Sequence, residues 1–219
     1  MAATLRFPPV TDGAKLYSRQ LVLLAIGGTL LSAGAGCARP AAFPVYDQDG
    51  RMVRRIDYDT DRDGKLEARL YFRDGEAIRL EADSDEDGRV DRWEGYAAGG
   101  ALQRLGTSSR RDGRADTWVI QAGTSTEVQT STRRDGVIDS RDRYENGTLT
   151  RTERDTNFDG RPDQWQQFEQ GRLRQLDLDT TLVSGRADRR LVYSAGGALD
   201  RIESRDANGA FVVVSDATP

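Results

Sequence analysis

Apolar and aromatic positions recur along this chain in a repeating pattern. A first series of glycines recurs every 23 to 25 residues and marks the period: Gly64, Gly88, Gly113, Gly136, Gly160, Gly185 and Gly209. Aromatic residues follow at fixed distances, with Trp93, Trp118 and Trp165 five residues after a glycine, and Phe72, Tyr96, Tyr144, Phe168 and Tyr193 eight after one. A period of this length indicates tandem structural repeats.

A second series of glycines lies between the first, so each repeat contains two turns and two short segments. Its members are Gly50, Gly75, Gly100, Gly123, Gly147, Gly171 and Gly197. Apolar residues occupy the second and fifth positions after such a glycine, as in Leu102 and Leu105, Leu173 and Leu176, and Leu199 and Ile202. This three-residue step would also suit a helix, but segments of about eight residues between turns are too short for ordinary helices.

We therefore predict strands with bulges, joined by hairpin turns such as Asp74-Gly75 and Asn146-Gly147. The predicted fold is all-β, an antiparallel meander of short β-hairpin repeats, elongated and solenoid-like, over residues 46–215, with a tail at 216–219. The aromatic residues are expected to stack from repeat to repeat as a thin core. A ligand-binding aromatic ladder, as in carbohydrate binders, is the alternative.

Composition narrows the functional classes. Charged residues make up 31% and hydrophobic residues 37% of the chain, so one thick core would be hard to fill. The net charge of −4 gives no basic face for nucleic acid. The sequence contains no histidine, which removes the commonest general base and every Ser-His or Cys-His pairing. We expect a binding or structural protein and not an enzyme.

The N-terminal segment has the pattern of an export signal. Lys15 and Arg19 precede an apolar run at residues 21–26, and small residues continue from there to Cys37, the single cysteine. A transmembrane helix is the alternative, but the stretch would span only about 24 Å against roughly 30 Å of hydrocarbon. Residues 1–36 are therefore predicted to be a signal peptide.

The residues before Cys37 resemble the bacterial lipobox, in which small residues precede a cysteine that is acylated after cleavage. The sequence departs from that pattern at Gly34, where the family usually has leucine. The resemblance implies a lipid on Cys37, a short tether over residues 37–45, and attachment to the membrane through the acyl chains. A plain secretory signal without lipidation is the alternative. Ala38 replaces the aspartate that marks inner-membrane retention, so an outer-membrane lipoprotein is expected in a Gram-negative source.

Three loops carry acidic residues in the pattern D-x-[DN]-x-D-G-x-x-[DE]: Asp59, Asp61, Asp63, Gly64 and Glu67; Asp83, Asp85, Asp87, Gly88 and Asp91; Asp155, Asn157, Asp159, Gly160 and Asp163. Calcium binds six to eight oxygens, and alternate side chains of a tight loop can converge on one ion. The seventh position, at Lys65, Arg89 and Arg161, would contribute a backbone carbonyl. Val90 and Glu94 complete a twelve-residue EF-hand pattern in the second loop.

These loops are similar to EF-hand loops and to the calcium hairpins of integrin-type propellers, and their tandem array resembles thrombospondin type 3 repeats. The turn around Tyr144, Tyr-x-Asn-Gly-x-Leu, resembles MORN hairpin repeats. The alternative is that the Asp-Gly sequences are present only because they form turns readily, in which case the loops bind no metal. Two further repeats have Arg110 and Arg133 at the third loop position, and we expect these arginines to replace the cation by bridging the remaining carboxylates.

Together these features predict an exported calcium-binding lipoprotein, a structural or protein-interaction module of the cell envelope on its periplasmic or surface face. The partner would be an envelope protein or a glycan. The alternative is a cell-wall glycan-binding module that uses exposed tryptophans. Catalysis by paired carboxylates is disfavoured because the acidic pairs fall at repeat positions that loop chemistry already explains.

Overall fold

The computed structural model describes residues 41–182 and 184–216. The predicted signal peptide and residues 37–40, including Cys37, lie outside this part, whereas residues 42–45 of the predicted tether belong to the first strand. Within it the chain forms fifteen strands: β1 Ala42–Tyr46, β2 Val53–Tyr58, β3 Ala68–Arg73, β4 Glu76–Ala82, β5 Arg92–Tyr96, β6 Leu102–Thr107, β7 Thr117–Ala122, β8 Ser125–Thr130, β9 Ser140–Glu145, β10 Thr148–Arg154, β11 Gln164–Glu169, β12 Arg172–Leu178, β13 Arg189–Tyr193, β14 Leu199–Arg205 and β15 Phe211–Asp216.

The strands form one open antiparallel sheet in which each strand pairs with its neighbours in the sequence, from β1 to β15. The described residues contain no helix, which confirms the predicted all-β meander of hairpins. Likewise, none of them forms a helix long and apolar enough to cross a membrane.

Two kinds of connection alternate along the sheet. On one side, called the turn side, tight turns join the strands. Asp74 and Gly75 both have positive φ, of 52° and 83°, as do Asn146 and Gly147, so both pairs form the type I′ turns that match the twist of a hairpin. On the opposite side, called the loop side, loops of nine or ten residues follow every even-numbered strand from β2 to β12 and lead to the next strand.

Bulges next to the turn side explain the three-residue apolar step. In the hairpin of β5 and β6, Tyr96 pairs with Leu102 while Gly95 pairs with Arg104, so one residue of β6 is left over. Leu102 and Leu105 therefore point to the same face although three residues separate them. The same irregularity occurs between β11 and β12 and between β13 and β14. The predicted bulges are thus confirmed.

The register divides the sheet into an apolar face and a charged face. A row of directly opposed residues across the apolar face runs Ile56, Leu70, Leu80, Glu94, Leu105, Val119, Val128, Asp142, Thr152, Gln166, Leu176, Leu191 and Ile202. Its polar members are paired locally. Thr152 donates to Oε1 of Gln166 at 2.8 Å, and Arg154 pairs with Asp142 at 2.6 Å.

The row across the charged face consists mainly of acidic residues, arginines and tryptophans. It runs Asp57, Arg69, Glu81, Trp93, Gly106, Trp118, Gln129, Arg141, Glu153, Trp165, Asp177, Arg190 and Glu203. Trp93 and Trp118 are in contact, with ring centroids 6.0 Å apart. Four strand spacings of about 4.8 Å separate Trp118 from Trp165, so the three tryptophans form no continuous ladder.

The expected aromatic core is replaced by buried polar groups. Among the described residues no hydrophobic side chain is fully buried. The buried side chains are polar, and most lie in the loops, including Asp59, Asp83, Asp91, Ser108, Asp116, Ser131, Asp139, Asp155, Asp163 and Asp179. The best-shielded part of this sheet is therefore its loop side.

Candidate metal centre

Six loops stack along the loop side, numbered here loop 1 (59–67), loop 2 (83–91), loop 3 (108–116), loop 4 (131–139), loop 5 (155–163) and loop 6 (179–188). Positions within each loop are counted from its first residue. Loop 6 has one more residue before its glycine than the others have, so its ninth-position equivalent is Asp188. The fourth position has positive φ in all six loops, as at Glu86 with 58° and Phe158 with 61°.

The backbone of the acidic loops wraps around the first-position carboxylate. The N–H of the loop glycine donates to this group. The distance is 3.1 Å from Gly64 to Asp59, and the corresponding distances in loops 2 and 5 are both 2.8 Å. The fifth-position carboxylate accepts the N–H of the seventh residue, which gives contacts of 2.8 Å at Lys65 and Arg89 and 2.9 Å at Arg161. At least one oxygen of each carboxylate is thus bonded to the backbone, and in loops 2 and 5 both oxygens of the first-position carboxylate are.

The ninth-position carboxylate is held by a feature that the sequence analysis missed. The second position is serine or threonine in all six loops: Thr60, Ser84, Ser109, Thr132, Thr156 and Thr180. The N–H of this residue donates to the ninth-position carboxylate, from Thr156 to Asp163 at 2.7 Å and from Ser84 to Asp91 at 3.0 Å. The sequence shows this feature as a serine or threonine directly after the first position of every loop.

These contacts stabilise the ionised form of the carboxylates. Burial opposes ionisation of Glu67, but N–H groups of Thr60 and Asp61 donate to it and bring its pKa below the usual value. Burial likewise opposes ionisation of Asp188, and the hydroxyl and N–H of Thr180 outweigh it, so its pKa is also lowered.

Consecutive loops are joined by a ladder of backbone hydrogen bonds. The first residue of each later loop donates its N–H to the carbonyl of the ninth residue of the loop before it. Asp83 donates to Glu67 at 2.8 Å, and Asp179 donates to Asp163 at 2.8 Å. Candidate ligands in neighbouring loops are therefore connected through a single hydrogen bond.

Loop 1 brings its acidic residues together most completely. One oxygen from each of Asp59, Asp61 and Glu67 lies within 4.8 Å of the others, and Asp61 and Asp63 form a second such group with Glu86 of loop 2. Oxygens that share a calcium ion at about 2.3 to 2.6 Å have this spacing. Asp59 is 7% exposed, and its Oδ1 atom is buried without a hydrogen-bond partner. An ionised oxygen in that position is stabilised by a cation.

Loop 2 brings Asp83, Asp85 and Asp91 within 4.8 Å of one another. Here the guanidinium of Arg111, from loop 3, already lies 3.1 Å from Asp85 and lowers the pKa of its carboxyl. Glu94, the predicted twelfth-position ligand, is not in this group. Its carboxylate pairs with Arg92 at 2.5 Å and accepts the hydroxyl of Tyr96.

Loop 5 shares the backbone hydrogen bonds of loops 1 and 2, but its third-position side chain is the neutral amide of Asn157. The Asn157 amide donates to Asp159 at 3.2 Å and to the carbonyl of Leu182 at 2.8 Å. Both oxygens of Asp155 accept backbone N–H groups, from Asp159 and Gly160. The predicted ligand roles at loop 5, and those of the seventh-position carbonyls, stay predictions.

Loops 3 and 4 revise the expected role of their arginines. Arg133 does pair with Asp135 of its own loop at 3.0 Å. Arg110, however, donates to the backbone carbonyl of Arg134 at 3.5 Å and does not bridge Asp112 with Asp116. In both loops a serine at the first position replaces the buried carboxylate, and it donates to the fifth-position aspartate. Neutral hydroxyls thus occupy the position at which loops 1, 2 and 5 have a buried carboxylate.

Comparison with known proteins adds little. No family model matches the chain, and no curated protein matches it significantly. A solved structure described as the crystal structure of TarM is similar over 51% of this chain and 19% of that chain, with 9% sequence identity and a TM-score of 0.29. This likeness is too weak to carry an argument, so a functional proposal must rest on the loops themselves.

Proposed function

We propose that this chain is an exported, calcium-binding β-repeat lipoprotein whose loops 1 and 2 each bind one ion and stiffen the sheet. It would act as a structural or protein-interaction module of the cell envelope and not as an enzyme. The observation that carries the proposal is the buried, unpartnered Oδ1 of Asp59, beside the carboxylates of Asp61 and Glu67.

The chemistry of the loops favours calcium over other metals. The candidate ligands are carboxylate and carbonyl oxygens, which suit hard cations, and the chain has no histidine and one cysteine to offer a softer ion. Mg²⁺ demands near-ideal octahedral geometry, whereas an irregular loop held by its own backbone fits the variable coordination of calcium.

The way this sheet is stabilised supports the proposal of a structural role. Because no hydrophobic side chain in the described part is fully buried, the sheet lacks the core that stabilises most domains. An ion that binds only the folded loops adds stability by mass action. Extracellular calcium modules bind at about 0.1 to 1 mM, which would suit an exported protein.

The decisive experiment compares two first-position variants of the purified protein by calorimetric titration and thermal melting. With a Kd of 0.1 to 1 mM, 10 mM calcium should stabilise the protein by about 1.4 to 2.7 kcal/mol per site. We expect two or three ions per chain, and Asp59→Asn should remove one of them. Without calcium, Asp59→Asn should melt at or above the wild-type temperature, because it relieves an unpaired buried charge.

Asp179→Asn is the matched control, since Asp179 occupies the same position in loop 6. Its carboxylate is already satisfied by Thr181, Ser184 and Gly185, and these hydrogen bonds, led by the Thr181 hydroxyl, lower its pKa. This variant should melt lower without calcium and keep the full number of ions. A wild-type melting temperature that calcium and chelator leave unchanged would refute the calcium proposal.

A second candidate, recognition of a cell-wall glycan, is favoured by one observation. Trp93 and Trp118 lie side by side on the charged face and are only partly buried. Such a pair exposes parts of two aromatic rings, tilted by 40° to each other, against which a sugar ring could pack. Titration with soluble cell-wall glycan fragments should then quench tryptophan fluorescence, and Trp118→Phe should reduce the effect. An unchanged spectrum would exclude this role.

A further inference from the structure

The contact between neighbouring loops follows one rule along the whole loop side. The third position of each loop meets the fourth position of the next. Asp85 pairs with Arg111, Arg110 donates to the carbonyl of Arg134, and Asn157 donates to the carbonyl of Leu182. Between loops 4 and 5 the guanidinium of Arg133 lies 4.1 Å from the ring centre of Phe158. At each of these four junctions, the two groups attract one another.

The junction between loops 1 and 2 has the same arrangement, but the two groups that meet carry like charges. Its third-position and fourth-position residues are Asp61 and Glu86, which with Asp63 place three carboxylates within 4.8 Å. The ammonium of Lys65 lies 3.7 Å from Glu86 and 3.9 Å from Asp63, so it brings one positive charge to a space lined by three negative ones.

We propose that the Glu86 carboxylate of loop 2 is a further ligand of the cation held by loop 1, which makes that site one shared by two repeats. This inference rests on the proposed function of loop 1. Asp61 belongs both to the group with Asp59 and Glu67 and to the group with Glu86, so the two groups are continuous. The unpartnered Oδ1 of Asp59 independently indicates a cation in the same loop.

Two consequences follow from a shared site. The ion would link the hairpins β2–β3 and β4–β5 through side chains as well as through the backbone contact from Asp83 to Glu67. Lys65 would compete with the ion, because its ammonium lies against two of the carboxylates that the ion requires. Removing Glu86 should therefore weaken binding, and removing Lys65 should strengthen it.

The test is calcium titration of the full chain carrying Glu86→Gln. A unit negative charge about 5 Å from a divalent ion, in a medium as polarisable as water, changes affinity by roughly tenfold or more. We expect Glu86→Gln to weaken the loop 1 site by at least that factor, and Lys65→Gln to tighten it several-fold. The effect of Glu86→Gln should vanish in an Asp59→Asn background, where loop 1 no longer binds.

Glu76→Gln is the matched control. It makes the same charge change at the turn-side end of β4, whereas Glu86 lies in loop 2, which follows the other end of that strand. The length of β4 places Glu76 about 20 Å from the loop side. This is more than two Debye lengths of about 8 Å at physiological salt, so the control should alter affinity by less than about twofold. Equal calcium affinities for Glu86→Gln and Glu76→Gln would overturn the shared site while leaving calcium binding intact. A wild-type protein that binds no calcium would instead overturn the proposed function.

Discussion

Gly106 of β6 allows two tryptophans to lie together on the charged face. It stands in the row directly between Trp93 and Trp118. A Cβ atom at residue 106 would lie 2.5 Å from Cζ3 of Trp118, which is closer than two nonbonded carbon atoms can approach. Gly106→Ala must therefore strain the site or displace the Trp118 ring.

The expected loss can be worked out from the contacts. If the ring stays, overpacking of this kind costs about 1 to 3 kcal/mol. If it moves, it loses the contact with Trp93, worth about 0.5 to 1.5 kcal/mol, and the guanidinium of Arg104 over its face at 3.7 Å, worth about 0.5 to 1 kcal/mol. Replacing a strand glycine offsets about 0.5 to 1 kcal/mol through reduced chain entropy. The net destabilisation is about 1 to 2 kcal/mol.

The assay is urea unfolding followed by tryptophan fluorescence, with thermal melting as a second measure. For a chain of this size the loss corresponds to a melting temperature lower by roughly 2 to 8 °C. Gly95→Ala is the control, because Gly95 lies in the adjacent strand and a Cβ there would meet Arg104 at an ordinary 3.5 Å. It should be neutral or slightly stabilising. If Gly106→Ala is as stable as Gly95→Ala, the assigned packing of the two tryptophans is wrong.

Two further predictions concern pH and location. Glu67 and Asp188 have lowered pKa values in the folded state, so the stability they contribute is present above their unfolded pKa of about 4 and is lost as pH falls through the folded value. The urea midpoint of the protein should therefore fall between pH 6 and pH 3, and it should fall less steeply in Asp188→Asn. Parallel curves for the two proteins would contradict this assignment. Cys37→Ser should release the protein from the membrane fraction or block its maturation, because it removes the predicted acyl site. If fractionation still finds the unacylated protein in the membrane, the predicted lipid anchor on Cys37 is wrong.

The sequence predicted the repeat and its turns because both depend on local backbone requirements. Turn residues such as Asp74-Gly75 and Asn146-Gly147 require positive φ, and only a few residue types adopt it readily. The loop glycines obey the same constraint, so the acidic loops could be placed exactly where the structure has them. The bulges followed from an apolar step that no regular strand can satisfy.

The division of the faces and the contacts between loops could not be predicted in the same way. Trp93 and Tyr96 are both aromatic and recur in register, yet they lie on opposite faces because three residues separate them. Arg111 was not suspected as the partner of Asp85, because the two residues are 26 positions apart. Such pairs depend on which loop positions meet across a junction, and the structure was needed to show that the third meets the fourth.

The distribution of loop types implies that the proposed ion dependence would be local. In a repeat array each unit contacts only its neighbours, so a bound ion stabilises the adjacent hairpins most strongly. Loops 1 and 2 have the converging carboxylates, whereas loops 3 and 4 have serine in place of the first aspartate and are satisfied without a metal. Loop 6 keeps its aspartate but satisfies it with hydroxyl and N–H groups of its own. Calcium would therefore act on strands β2 to β5, while the sheet beyond them depends on its own hydrogen bonds.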